Sequence, residues 1–267
     1  MKERKKVLLW LLIVAVLLVA SIITGNHAGQ SETIQQTMRD AVLHNENRID
    51  LLGWKAVNPG LISGFVVTAI LLIAAAVLRI CWIPRFKYVP GRCQLVLEEV
   101  VGLFDRMAKT SSPRMNRFLG AYIFGAGVYI FVGTLFELFG FQAITTAGRA
   151  ITLPAPLSDV NGAIALGCLS YVVILSGGIA GNGIKGVKAT LKEFSLPISM
   201  SFRLFGAMLS GLLVTELVYY TIMLSIVLPV IVAVLFTLLH ALIQTYVLTM
   251  LTSVFYGEVS EPHQKKK

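Results

Sequence analysis

Six apolar stretches, each long enough to cross a bilayer, constrain this chain more than any other feature. They run over residues 7–24, 61–83, 117–141, 160–180, 196–227 and 229–256. A helix rises about 1.5 Å per residue, so about 20 apolar residues cross a hydrocarbon core of ~30 Å. Inside lipid, every backbone N–H and C=O must find a partner within the protein, and helices solve this segment by segment. The chain is 56% hydrophobic and only 14% charged, with a mean hydropathy of +0.77. Soluble domains run nearer a quarter charged. These values exclude a soluble globular domain, a disordered chain and a disulfide scaffold. The expected fold is all-α: a polytopic membrane protein of five to six transmembrane helices. The last two stretches exceed a perpendicular span, so those helices are expected to be long, tilted and antiparallel. Pro229 falls between them and marks the turn.

The net charge of +9 has a topological rather than a nucleic-acid explanation. With the N-terminus placed inside, 18 of the 23 Lys and Arg residues fall on the inner side and four on the outer side. The remaining one, Arg203, falls within a span. Lys and Arg concentrate in cytoplasmic loops, so both termini are expected inside a multi-pass cell membrane protein. Trp54 and Trp82 flank the second span, where amphipathic rings prefer the interface.

Four sections are expected along the chain. Residues 1–24 carry a basic start and an apolar run, which fits an uncleaved signal anchor or a cleaved signal peptide. Residues 25–60 form an outer segment, 61–258 the membrane domain, and 259–267 a cytoplasmic tail. Within 90–115, Val96, Val100, Leu103, Phe104 and Met107 recur at helical spacing among Glu98, Glu99, Asp105 and Arg106. That pattern predicts an amphipathic helix lying on the inner surface. Segment 177–195, Gly-rich and then basic, reads as a connector. Cys81, Cys93 and Cys168 form no CxxC pair, so neither a disulfide framework nor a cysteine metal site is expected. There is no GxxxxGK[ST], HExxH or GxSxG motif, so no active site, metal or cofactor of the chain's own is expected.

The informative residues are the ionisable ones inside spans, where a charge at mid-bilayer costs about 2.5–3.5 kcal/mol on insertion scales. Arg203 has six uncharged residues before it, back to Pro197, and twelve after it, up to Glu216. Arginine stays charged in proteins, so it must meet water, a carboxylate or a polar partner. Glu216 is 13 residues away, about 20 Å along one helix, and cannot pair with it within that helix. Around the arginine, Gly206 with Ser210 and Ala207 with Gly211 place small residues four apart. Such spacing either seats a helix of the same chain or leaves a smooth face for a moving partner. His240 and Gln244 share one face of the last helix, as interhelical glue or as part of an ion path. Glu216 is a proton-carrier candidate or an interhelical hydrogen-bond partner. Glu137, Asp159 and Asn161 lie near outer ends of spans, where the two acids are interfacial or line aqueous access.

Four stretches, in order, resemble subunit a of the F-type ATP synthase. They are YVPGRCQLVLEEV (88–100), LPAPLSDVNGAIALG (153–167), SFRLFGAMLSG (201–211) and LIQTYVLTMLTSVFYGE (242–258). The resemblance covers about residues 60–258. It implies an ion-translocating stator subunit with two offset aqueous half-channels against a c-subunit ring. Partners implied are the c-ring, the b-subunit stator, other ATP synthase subunits and membrane lipid, with no nucleic acid. Arg203 resembles the family's essential arginine and Gln244 its polar neighbour, while Asp159 and Asn161 resemble an element near the outer half-channel. Gly206, Ala207, Ser210 and Gly211 are then the ring-facing residues. The resemblance leaves H⁺ and Na⁺ both open.

The chain departs from that family's pattern. Ala207 stands where Asn usually follows Arg-Leu-Phe-Gly, Leu212 where an acid is common, and Thr237 where a His or Glu is usual. Glu216 lies four residues beyond Leu212, and His240 three beyond Thr237. On antiparallel helices these shifts move the two groups apart by about 10 Å in total. Two rival readings are a self-contained secondary transporter, which predicts inverted repeats, and an assembly or scaffold paralogue. No inverted repeat is detected in the sequence.

Overall fold

The computed structural model describes residues 49–51, 54–144, 150–220 and 228–261. The first expected span, 7–24, and most of the 25–60 segment and the tail lie outside the described residues. Strands β1 (Ile49–Leu51) and β2 (Trp54–Val57) form a short antiparallel ribbon. Helix α1 (Pro59–Val77) follows, extended by a π turn and a 3₁₀ turn to Arg85. Then come α2 (Arg92–Ser111) and α3 (Asn116–Phe136), the latter prolonged by a 3₁₀ turn, Glu137–Phe139. A second ribbon pairs β3 (Gln142–Ile144) with β4 (Ala150–Thr152), Gln142 opposite Thr152. The chain closes with α4 (Val160–Asn182), α5 (Ile184–Lys192), α6 (Ser195–Tyr220) and α7 (Leu228–Ser260).

Among the described residues, four helical stretches are long and apolar enough to cross a membrane: Pro59–Arg85, Asn116–Phe139, Val160–Asn182 and Val234–Ser260. Helix α6 carries Arg203 and, with 26 residues, reaches about 39 Å. The chain is an all-α polytopic membrane protein, as expected. Among the described residues its last two helices are the longest, and α7 has 33 residues. Pro229 sits in the first turn of α7, where a missing N–H costs no helical bond. One expectation needs correction, and one feature was not anticipated. The 177–195 segment is not an open connector: α4 runs to Asn182, and the chain turns at Gly183 straight into α5. Gly183 has φ +55, a conformation that side chains rarely adopt. The two ribbons were not anticipated. They are three or four residues per strand, too short for an alternation signal.

The helices start where capping chemistry allows. The Asn58 side chain accepts a hydrogen bond from Gly60 N at 2.8 Å, with Pro59 at the first position of α1. The Asp159 side chain likewise accepts from Asn161 N at the start of α4, at 3.4 Å. The core lies among α3, α4, α6 and α7, where Leu119, Ile123, Ile130, Ile174, Leu204 and Leu248 are buried. A smaller apolar cluster of Ile62, Val67, Phe136 and Leu153 closes the opposite, ribbon-bearing end. Outward, Phe65, Leu72 and Ile73 on α1 stay more than 60% exposed. A face so apolar requires lipid.

Helix α2 is the expected amphipathic element, but its apolar stripe divides. Phe104 and Ala108 are buried against the bundle, whereas Leu95, Val96, Val100 and Leu103 are exposed. Its polar face carries Arg106–Glu99 and Lys109–Asp105 ion pairs, both 2.6 Å and exposed, hence worth little energetically.

At the basic end, rich in Lys and Arg, α7 is pinned by its neighbours. Ser253 Oγ donates to Ser111 Oγ at 2.9 Å, and the hydroxyls of Ser112 and Ser260 lie 3.1 Å apart. Asn182 Nδ2 donates to the carbonyls of Val259 at 2.8 Å and Glu261 at 3.1 Å. These carbonyls end the helix and have no intrahelical donor. Asn182→Ala is therefore expected to destabilise the fold by about 1–2 kcal/mol. The check is a thermal midpoint, lowered by a few degrees, for the detergent-solubilised protein.

Candidate functional site

Helix α6 has two faces. Ser201, Leu204 and Met208 are buried, and the helix packs on α4 at Gly167, where an added Cβ would strike Ser201 Oγ. The opposite face carries Phe202, Arg203, Gly206 and Ser210, all exposed. Among the described residues Arg203 makes no ion pair and no hydrogen bond. A guanidinium left without a partner within a span is costly. Ser210 Oγ turns back onto Ala207 O at 3.0 Å, which removes a polar group from the surface. Around the arginine the open face is thus low in relief, and Leu238, Leu239, Leu242 and Ile243 extend apolar exposure along α7.

The four small residues divide. Gly206 and Ser210 stay on the open face with Arg203, while Ala207 and Gly211 turn into a narrow cleft between α3, α6 and α7. Thr134, Glu137, Met208, Phe236, Thr237 and His240 complete the lining. Glu137 reaches it because α3 ends there in a 3₁₀ turn, closed by Gly140 at φ +61. His240 is held on two sides. Its Nδ1 lies 2.7 Å from Phe236 O, and its ring stacks on Phe236 at 5.5 Å. A carbonyl only accepts, so Nδ1 carries a proton, and in the neutral ring Nε2 is the nitrogen with the lone pair.

The cleft also reports helix register. Ala207 and Gly211 of α6 and Thr237 and His240 of α7 all line it, so these parts of the two helices are level with one another. Run antiparallel from that level, about 6 Å further along, the two helices bring Gln244 to roughly the height of Arg203. Gln244 is only 6% exposed, and its Oε1 is buried with no hydrogen-bond partner among the described residues. An orphaned buried acceptor costs roughly 1–3 kcal/mol, so it marks a place where a donor belongs.

The remaining predicted residues sit elsewhere. Asp159 caps α4 and lies against the start of α1, where an added Cβ on Gly60 would come within 2.9 Å of the Asp159 Cβ. Asn161 is exposed. Neither lines the cleft. Glu216 lies on α6, but its side chain is outside the described residues. The lining role of Thr134 and Phe236 was missed from sequence, whereas Glu137 was read as an outer-end acid, either interfacial or lining aqueous access. A threonine or phenylalanine in a span carries no signal of its own, and only the packing of three helices assigns these positions to one cleft.

Comparison with known proteins converges on the same stretch. The family model described as "ATP synthase A chain" matches residues 62–257, which takes in nearly all of α1 and α7 and the whole of the five helices between them. Two curated relatives, each named "ATP synthase subunit a", come from Cereibacter sphaeroides strains ATCC 17029 / ATH 2.4.9 and ATCC 17025 / ATH 2.4.3. Each is 27% identical over 157 residues, covering 56% of this chain and 60% of the relative. The chain thus spans less than two thirds of the length of the relatives it matches. The arginine-bearing helix, its long antiparallel neighbour and the amphipathic α2 all fall inside the matched region, and on that match the chain belongs to the ATP synthase A chain family.

Proposed function

We propose that this chain is the ion-translocating stator subunit of a rotary ATP synthase, working against a ring of c subunits in the plasma membrane. The observation that carries the reading is Arg203, an exposed guanidinium on a smooth face within a span, with no partner among the described residues. A ring carriage that brings a carboxylate past this face supplies the missing partner. The fixed positive charge draws the ionised carboxylate, favours release of its ion, and repels cations that would leak directly between two half-channels. Gln244 supports the arginine: its unpaired Oε1 is an acceptor at the arginine's level, and a guanidinium only donates.

His240 belongs to the outer path, with Glu216, Asp159 and Asn161 toward its mouth. Glu216 is about 20 Å beyond Arg203 along α6, and the Asp159–Asn161 cap stands at the same end of the bundle as the ribbons. The basic end, with its Lys- and Arg-rich segments, faces the cytoplasm, and both termini lie there. The exposed apolar half of α2 rests on the lipid surface at that end, where a b-subunit stator and other subunits attach. The chain has no active site of its own in this scheme; the chemistry of ATP belongs to the rest of the complex.

The test is cross-linking in the assembled complex. Gly206→Cys, with Cys81, Cys93 and Cys168 changed to Ser, is expected to form a disulfide with a cysteine beside the ring carboxylate of subunit c. The bond stops ATP-driven ion pumping until it is reduced. Absence of any cross-link in a complex that holds both subunits overturns the ring-facing assignment. A secondary transporter would instead move ions as the purified chain alone.

A further inference from the structure

The cleft places two proton-binding side chains from distant parts of the chain against one space. Glu137 comes from the end of α3 and His240 from α7, and among the residues that line the cleft these are the ionisable ones. Helix α6 contributes only Ala207, Met208 and Gly211. At Gly211 an added Cβ would meet nothing within 4 Å, so the α6 wall is open there. Next to it in sequence is Leu212, so the arginine helix supplies no acid at this level. The cleft lies about one helical turn from Arg203, on the side away from the basic end.

We propose that Glu137 and His240 are the proton-transfer pair of the outer half-channel, with the acid supplied by α3 instead of α6. The assignment rests on the stator reading above. A proton arriving from outside protonates the Glu137 carboxylate and passes across the cleft to His240 Nε2, forming the imidazolium. Nε2 then gives it to an ionised ring carboxylate, which leaves Glu137 ionised and His240 neutral again. Nδ1–H remains on Phe236 O throughout, so the ring keeps its orientation. One proton enters and one leaves, and no bond other than O–H and N–H changes. The pair also names the ion. Carboxylate, carbonyl and water oxygens suit hard cations, whereas an imidazole nitrogen opposite a carboxylate suits a proton.

The experiment uses membrane vesicles carrying the complete complex, in sodium-free buffer, with ATP-driven proton pumping as the readout. Glu137→Gln and His240→Ala are each expected to lower pumping at least tenfold, while c-ring co-purification stays normal. Glu137→Gln/Gly211→Asp, which returns a carboxylate to the cleft from α6, is expected to pump at least threefold faster than Glu137→Gln. A residue that only held the helices together would not be rescued this way. Wild-type pumping by Glu137→Gln, or an assembled double variant no faster than the single one, overturns the pair. Thr237→Cys in a background free of the native cysteines is expected to react with a membrane-impermeant thiol reagent applied from outside, and no reaction overturns water access to the cleft. Arg203→Ala separates the two levels: if it pumps normally the stator reading has failed, and if it is inactive while Glu137→Gln and His240→Ala pump normally, only the pair has failed.

Discussion

Arg203→Ala is expected to abolish ATP-driven ion pumping by the assembled complex, with residual activity below a thousandth of wild type. The magnitude follows from the charge. A guanidinium and a carboxylate about 4 Å apart attract by ~4 kcal/mol at an effective dielectric of 20. Each 1.4 kcal/mol is tenfold, so losing that attraction is a factor of about a thousand. No neighbour can substitute, because Phe202, Gly206 and Ser210 share the open face and none is cationic. In the proposed scheme, removing the charge also removes a barrier between two half-channels, so passive ion conduction is expected to rise in vesicles stripped of the catalytic subunits. Arg203→Lys keeps the charge but loses the planar fork, and an ammonium is more strongly hydrated, so it is expected to rescue only partly. The measurement is quenching of a pH-sensitive dye in inverted vesicles, alongside ATP hydrolysis. Undiminished pumping by Arg203→Ala would refute the arginine's role.

The second large effect is structural. Gly257→Val is expected to remove the folded protein from the membrane. On α7, Gly257 lies against the last turn of α2, and an added Cβ would run into the carbonyl of Ser111. That obstacle is backbone, so it cannot rotate away. The same turn carries the Ser111–Ser253 and Ser112–Ser260 contacts, all of which part if α2 is pushed off. Overpacking that side chains can absorb costs about 1–3 kcal/mol. Where backbone must move and several hydrogen bonds break with it, the loss is expected to exceed ~4 kcal/mol, the range reserved for exceptional sites. That is a large fraction of the roughly 5–15 kcal/mol by which a typical domain stays folded. Steady-state level in membranes, by immunoblot, is the check, and Gly257→Ala tests the same contact with the smallest possible side chain. Normal levels of the valine variant would show that α2 is not clamped there.

Much of the architecture was legible because its causes are local. A run of apolar residues is a span whatever lies beside it, so the positions of α1, α3, α4 and α7 follow from the chain alone. An arginine with long uncharged flanks is anomalous in any lipid-spanning helix, so Arg203 stood out before any neighbour was known. The two-faced pattern of α2 was equally readable. Less was legible where apolar residues surround a helix on all sides, as on α3 and α4. Periodicity then does not say which face turns inward.

What the amino-acid order alone determined is therefore the set of membrane helices, the amphipathic α2 and the isolated charge on α6. Only the tertiary structure decided which polar groups share a cleft. Glu137 and His240 are about a hundred residues apart, and no spacing rule links them. They line one cleft because glycines at 167, 181 and 257 let backbones approach closely, which sets the rotation and register of each helix against the next. The same register leaves Gln244 level with Arg203 and turns Ala207 and Gly211 away from the open face. Local chemistry chooses the helices, but the close contacts between them choose the path between those helices.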